Sequence, residues 1–234
     1  NICIACMVSG APCFAASKGL QVLGEGKHAV IVHDISRLIP DETALWPGDV
    51  EPVLVNMAAM AAGSPFELNA MKCSCHCGTH LDAPSHFVKN GRDVAGIPLS
   101  DLVGPCEVAA LERPGPIRAA MLDQAIPQPA DRVLRRCAGA ASNDTFWLEP
   151  DGAEWIVQRG IRLVGTTCMS IDRPDSHEFP AHRVLLRGGC CIIENLRLDH
   201  IAPGRYFLVG APLRWRGAEA SPIRPLLIEW ADPR

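Results

Sequence analysis

"HCGTHLDAPSHF", residues 76 to 87, sets three histidines and an aspartate within eleven positions, broken by a glycine and a proline. On a helix His76 and His80 would share a face, but Asp82 would point away. Gly78 and Pro84 also oppose a helix. On a strand, positions 76, 78, 80 and 82 share one face, and Cys73, Cys75, Cys77, Thr79 and Leu81 make a small, apolar opposite face. A straight strand rises ~3.3 Å per residue, so His76 and His80 would lie roughly 13 Å apart. One metal ion with bonds of about 2 Å cannot hold both. The chain must therefore bend, and Gly78 is the residue that permits the bend. The expectation is a strand running into a glycine turn, after which His76, His80 and Asp82 converge. Two imidazoles and a carboxylate suit Zn²⁺, Mn²⁺ or Fe²⁺. A hydrogen-bonded histidine cluster in a loop is the reading without metal.

Outward from this stretch, short apolar runs dominate. "AVIVHDISRLI" (29 to 39) reads as a strand ending near Asp34, and "EPVLVNMAAMAA" as strand then coil. "DLVGPCEVAALE" (101 to 112) and "DRVLRRCAG" (131 to 139) also read as strands. "DGAEWIVQRG" (151 to 160) reads as a short helix, with Ala153, Ile156 and Val157 on one face and Gly160 ending it. "IRLVGTTCMSID", "CCIIENL", "RYFLVGAPL" and "PLLIEWAD" follow as further apolar runs. Pro47-Gly48 marks a turn. This is a strand-rich α/β pattern with no repeat and no linker, which predicts one domain over 28–234.

The 234 residues, 48% apolar and 21% charged, suit a globular enzyme. A formal charge of -4 and the lack of a basic stripe give no sign of nucleic-acid binding. No apolar run reaches the ~18 residues that span a bilayer. The eleven cysteines are odd in number and crowded at Cys73, Cys75 and Cys77 and at Cys190 and Cys191. They read as small buried hydrophobes in a reducing, cytoplasmic setting. Residues 1 to 27 read as a leader of unknown role. Its apolar stretch "ICIACMVSGAPCFAAS" leaves export open, although it lacks a positive n-region. The start at Asn1 is expected to be processed or missing. Cys3, Cys6 and Cys13 make a poor zinc site without a second C-x-x-C.

A second polar set, "DSHEFPAHRVLLRGGCCIIENLRLD" (175 to 199), holds His177, His182 and Glu194. Together with the first stretch it carries a resemblance. "HCGTHLDAPSHF" resembles the H-x-G-[TA]-H-x-D-x-P-x-H-[FY] signature of the cyclase-like metal hydrolases, which include bacterial kynurenine formamidases and isatin hydrolases. "HDISRLIPDETALWPGDVEP", "GIRLVGTTCMSID" and the C-terminal stretch with E-N-L and A-S-P-I-R are similar to other blocks of that family. These blocks cover most of residues 33 to 229.

The resemblance implies a swivelling β/β/α fold with a barrel-like core, as a homodimer or homotetramer. His76, His80 and Asp82 match the family's first ligand set, and His182 and Glu194 match the downstream ligands. One or two divalent ions, zinc or manganese, are implied, with Asp82 bridging. His86 matches the catalytic acid/base, and Trp46 the aromatic residue lining the substrate pocket. The implied reaction is hydrolysis of a C–N amide bond in a small aromatic substrate. The favoured case is N-formylkynurenine giving kynurenine and formate in tryptophan catabolism. The alternative is ring opening of an isatin-like lactam. Thr79 and Phe87 stand where formamidases often carry Ala and Tyr, and Thr167 and Cys168 where relatives often carry Asp-Thr. Two readings from other classes compete. A non-catalytic binding relative would be marked by loss of His86 or a ligand, and neither is lost. A cysteine-based redox or metal-buffer protein would be marked by paired C-x-x-C spacing, which is lacking.

Overall fold

The computed structural model describes residues 19–24, 29–43, 45–137 and 146–230. The expectations for Cys3, Cys6 and Cys13 lie outside these residues. The strands are β1 (Leu20–Leu23), β2 (Val30–Asp34), β3 (Val53–Ala58), β4 (Leu68–Lys72), β5 (His80–Asp82), β6 (Val103–Leu111) and β7 (Gly115–Ile117). They continue with β8 (Arg132–Cys137), β9 (Phe146–Leu148), β10 (Leu163–Thr166), β11 (Cys191–Glu194), β12 (Gly204–Val209), β13 (Ala220–Pro222) and β14 (Leu226–Trp230). The helices are α1 (Leu99–Leu102), α2 (Ala119–Ala125), α3 (Pro150–Gln158) and α4 (Pro180–Arg187).

Ten strands form one sheet in the order β1-β2-β14-β12-β6-β8-β10-β11-β5-β13. Its centre, β6-β8-β10-β11, is parallel, and the flanks are antiparallel. The predicted mixed α/β single domain is observed, with an open sheet and no closed barrel among the described residues. β3-β4 and β7-β9 form two small separate sheets. β1 falls inside the expected leader and pairs with β2.

The central strands are mostly apolar on both faces because both are covered, with the buried Arg132 and Arg135 of β8 as exceptions. Val133, Val164 and Ile192 join Leu122 of α2, Ile156 of α3 and Leu185 of α4 in one core. The alternate residues Leu134, Leu163 and Ile193 join Ile35, Leu81, Leu208 and Leu227 in the second. Period two therefore decides which core each side chain enters. The predicted helix over 151–160 is α3, ended by Gly160 at φ +69°. One expectation changes. The expected strand runs into the glycine turn with all three ligands after it, but β4 stops at Lys72 and strand pairing resumes only at His80, so His76 lies within the turn and only His80 and Asp82 follow it. Seven residues of turn lie between Lys72 and His80, because Gly78 takes φ +64°, which a strand cannot accommodate.

Leu81 sits between His80 and Asp82 but points into the second core, where it is fully buried. It fixes the facing of β5. Leu81→Ala should destabilise the fold by about 2–5 kcal/mol, read as a fall in urea midpoint at unchanged m-value. A loss under about 1 kcal/mol would mean that β5 is not anchored by this side chain.

Candidate metal centre

β5 pairs antiparallel with β11, with His80 opposite Glu194 and Asp82 opposite Ile192. Its other edge pairs with β13. His80, Asp82 and Glu194 thus emerge on the helix-bearing face, beside Ile192. His182 reaches them from the first turn of α4. His76 arrives from the turn before β5, where a Cβ on Gly78 would stand 2.9 Å from Ile39 Cγ1. Gly78 therefore serves both the positive φ and the close approach.

The side-chain atoms converge tightly. Asp82 Oδ1 lies 3.1 Å from His76 Nδ1 and 3.4 Å from His80 Nε2. Asp82 Oδ2 lies 3.4 Å from His182 Nε2. Glu194 Oε2 lies 3.5 Å from His80 Nε2, and Glu194 Oε1 lies 3.3 Å from His182 Nε2. Yet His80 Nε2 and both Asp82 oxygens are buried without a well-formed hydrogen bond. Zinc bonds to N and O are about 2.0–2.2 Å, so two ligand atoms of one tetrahedral ion stand ~3.4 Å apart. The spacing is that of ligands around a shared cation. His76, His80 and Asp82 form one group that could hold a metal ion, and Asp82, His86 and His182 form a second.

Tautomers follow from the outer partners. His80 Nδ1 lies 3.0 Å from the Gly78 carbonyl, which can only accept, so Nδ1 carries the proton and Nε2 faces the cluster. The Gly78 carbonyl is itself held by Asn195 Nδ2 at 3.2 Å. His182 Nδ1 donates to Asp172 Oδ2 at 2.6 Å, again turning Nε2 inward. Asp172 also accepts the backbone N–H groups of Ala181 and His182 at 2.8 and 3.0 Å, satisfying the start of α4. Such outer partners set ring orientation and ligand basicity.

Charge follows the same geometry. Burial works against a charged His80, but Asp82 and Glu194 outweigh it and hold its pKa at about 9. His182 is likewise pushed down by burial and lifted well above the ordinary value by Glu194, Asp172 and Asp82. Burial would raise Asp82, yet His182, His76 and His80 hold it well below the usual carboxylate range. His86 differs: burial lowers its pKa, Asp82 opposes, and His76 adds to the lowering.

A cavity of about 370 Å³ opens over the cluster, lined by His76, His80, His86, His182, Glu194, Trp46, Phe87 and Phe179 among others. That is within the usual size of a small-molecule site. Trp46 packs 6.1 Å from Phe179, Phe87 lies 5.4 Å from Phe179, and the His86 ring lies 4.4 Å from that of His76. The structure thus brings His76, His80, Asp82, His86, His182, Glu194 and Trp46 into one site. His177 is exposed and lines a different surface cavity, with Trp147 and Asp175. Sequence reasoning missed Asp172, Asn195 and Phe179. Asn195 lies in the E-N-L block directly after β11, and polarity at the end of that apolar strand was its signal, whereas Asp172 ends "MSID" beyond β10 and carried no such signal.

A family model described as putative cyclase matches residues 33–173. A kynurenine formamidase of Salinibacter ruber (strain DSM 13855 / M31) is 36% identical over 208 residues, covering 86% of this chain and 98% of that protein. A solved structure described as a potential metal-dependent hydrolase with cyclase activity is 30% identical with a TM-score of 0.75. It covers 87% of this chain and 100% of its own. An isatin hydrolase bound to the product analogue thioisatinate shares the fold, with a TM-score of 0.74 at 22% identity. This site and this open sheet are those of a hydrolase-type α/β domain. The chain belongs to the cyclase family.

An ion taken up here needs the lone pair of His80 Nε2, which in the metal-free protein carries a proton below pH about 9. Metal binding at pH 7 should release protons, and affinity should rise with pH up to that value. Calorimetry in buffers of different ionisation enthalpy reads the proton count. Uptake without proton release would contradict an inward-facing, protonated His80.

Proposed function

We propose that this chain is a metal-dependent hydrolase cleaving the amide C–N bond of an aryl formamide. The favoured substrate is N-formylkynurenine, giving kynurenine and formate. The observation that carries this reading is the buried Asp82 carboxylate, unpartnered by hydrogen bonds and faced by three imidazoles under an aromatic-walled cavity. The likeness to a formamidase over nearly the whole length of both chains supports the choice of bond.

In this reading His76, His80, Asp82, His182 and Glu194 hold zinc or manganese. Each carboxylate has one oxygen toward His80 and the other toward His182, so this set would offer oxygen and nitrogen ligands to one or two ions. A divalent ion supplies Lewis-acid polarisation of the formyl carbonyl and acidifies water. Trp46, Phe87 and Phe179 offer flat apolar faces to the aryl ring. His86 takes a proton from the attacking water and delivers it to the leaving aniline nitrogen, which departs as a neutral amine. The products are the aryl amine and formic acid. An isatin-like lactam presents the same bond class within a ring and is the second substrate to assay.

The reading includes a homodimer or homotetramer. Among the described residues β3 and β4 pair only with each other, and Leu54, Met57 and Met71 on them are exposed. A lone two-stranded sheet is marginal in water, so a second copy would cover it. It also includes a cytoplasmic location. The described cysteines are free thiols, and no described helix is long and apolar enough to cross a membrane.

His86→Ala should retain bound metal and lose about 10²–10⁴-fold in turnover of N-formylkynurenine. Asp82→Asn should lose the metal itself, read by elemental analysis of folded protein. Full turnover in the first variant would remove His86 from proton transfer, and loss of metal there would make it a ligand. Unchanged metal in the second would refute the cage.

A further inference from the structure

Behind the cavity wall, on the helix-bearing face of the sheet, lies a pair of thiols that the hydrolytic reading does not use. Cys137 ends β8, and Cys168 lies just beyond β10. The parallel register runs from Leu163↔Arg132 to Thr166↔Arg135. Extended by two residues, it sets Cys168 opposite Cys137. Their sulfur atoms are 3.9 Å apart, both are buried, and both are free. Neighbouring strands stand about 4.8 Å apart, within the Cα range a disulfide accepts.

Arg135 is the second observation. It shares a face of β8 with Cys137, is fully buried, and none of its guanidinium nitrogens has a hydrogen-bond partner among the described residues. A buried cation without a counter-charge is costly. A thiolate at Cys137 supplies that charge. The Cys168 thiol donates to Cys137 and lowers its pKa. Burial opposes this and Arg135 reinforces it, while the donated Cys168 thiol is itself pushed up. The pair is therefore unequal, with one attacking sulfur and one resolving thiol.

We propose that Cys137 and Cys168 form an oxidisable dithiol that reacts with hydroperoxides, and that closing its disulfide loosens the metal centre. The Cys137 thiolate attacks the peroxide O–O bond, forming a sulfenic acid and releasing hydroxide, or an alkoxide from an organic peroxide. That anion takes a proton to leave as water or an alcohol. The Cys168 thiol then displaces the sulfenic oxygen, giving the disulfide and a second water. Sulfur loses two electrons overall and the peroxide gains them. The coupling runs through the segment after Cys168. The Cys168 carbonyl accepts the Asn195 N–H at 3.0 Å. The Ile171 N–H holds Glu194 Oε1 at 2.6 Å, and Asp172 holds His182 at 2.6 Å. Drawing the sulfurs to bonding distance moves the segment that carries these supports.

The coupling rests on the metal-centre reading above, whereas formation of the disulfide does not. Reduced, metal-loaded protein is treated with hydrogen peroxide, alkylated, and mapped by non-reducing peptide mass spectrometry. The expected result is a Cys137–Cys168 cross-link with the mass loss of two hydrogens, reversed by dithiothreitol. Cys168→Ser should stop at a sulfenic acid on Cys137 that dimedone traps, and Cys137→Ser should leave Cys168 a thiol. Oxidised wild type should surrender metal to chelator several-fold faster than reduced protein, with no such acceleration in Cys168→Ser. Unreacted Cys137 and Cys168, or bridging to other cysteines, would overturn the site. A formed cross-link with unchanged metal release would overturn the coupling. A protein that holds no metal would still be tested by the mapping.

Discussion

The rest of the site depends on one buried carboxylate. Asp82 is fully buried, and three histidines approach its two oxygens without forming good hydrogen bonds to them. An unpaired buried anion is costly, so the site is stable only with positive charge between these groups. Without a metal that charge is protons on His80, held against burial near 9 by Asp82 and Glu194, and on His182, lifted against burial well above the ordinary value by Glu194, Asp172 and Asp82. The same arrangement is preorganised for a divalent cation. β5 is paired on both edges, by β11 and β13, which keeps the carboxylate from turning out to solvent.

Backbone groups left over by the fold do the orienting. Asp172 satisfies the open N–H groups at the start of α4 and, through the same carboxylate, fixes the tautomer of His182. The Gly78 carbonyl, left outside the sheet ladder by a turn that cannot continue the sheet, does the same for His80. Helix start and glycine turn are therefore part of the site's chemistry as well as of its scaffold. Phe179, which precedes α4 with φ +50°, holds a left-handed conformation uncommon for a bulky residue and sits against Trp46 and Phe87.

Much of this was legible in the sequence. Period two correctly separated His80 and Asp82 from Leu81, and the distance between His76 and His80 on a straight strand forced a bend at Gly78. The central strands and α3 announced themselves by apolar runs and by i, i+3 spacing. Other features were hidden for physical reasons. Nothing local marks Asp172 as a capping carboxylate, because the helix it serves begins eight residues later. α4 was obscured by the turn chemistry and prolines around it. The extent of the turn before His80 was missed because the alternation of cysteines mimics a strand. The pairing of Cys137 with Cys168 is purely tertiary, set by the parallel register of β8 and β10.

The most direct test is turnover by protein stripped with chelator and restored separately with Zn²⁺ or Mn²⁺, with N-formylkynurenine followed by absorbance. The account predicts that stripped protein is inert and that one of the ions restores release of kynurenine. Equal turnover with and without metal would contradict it.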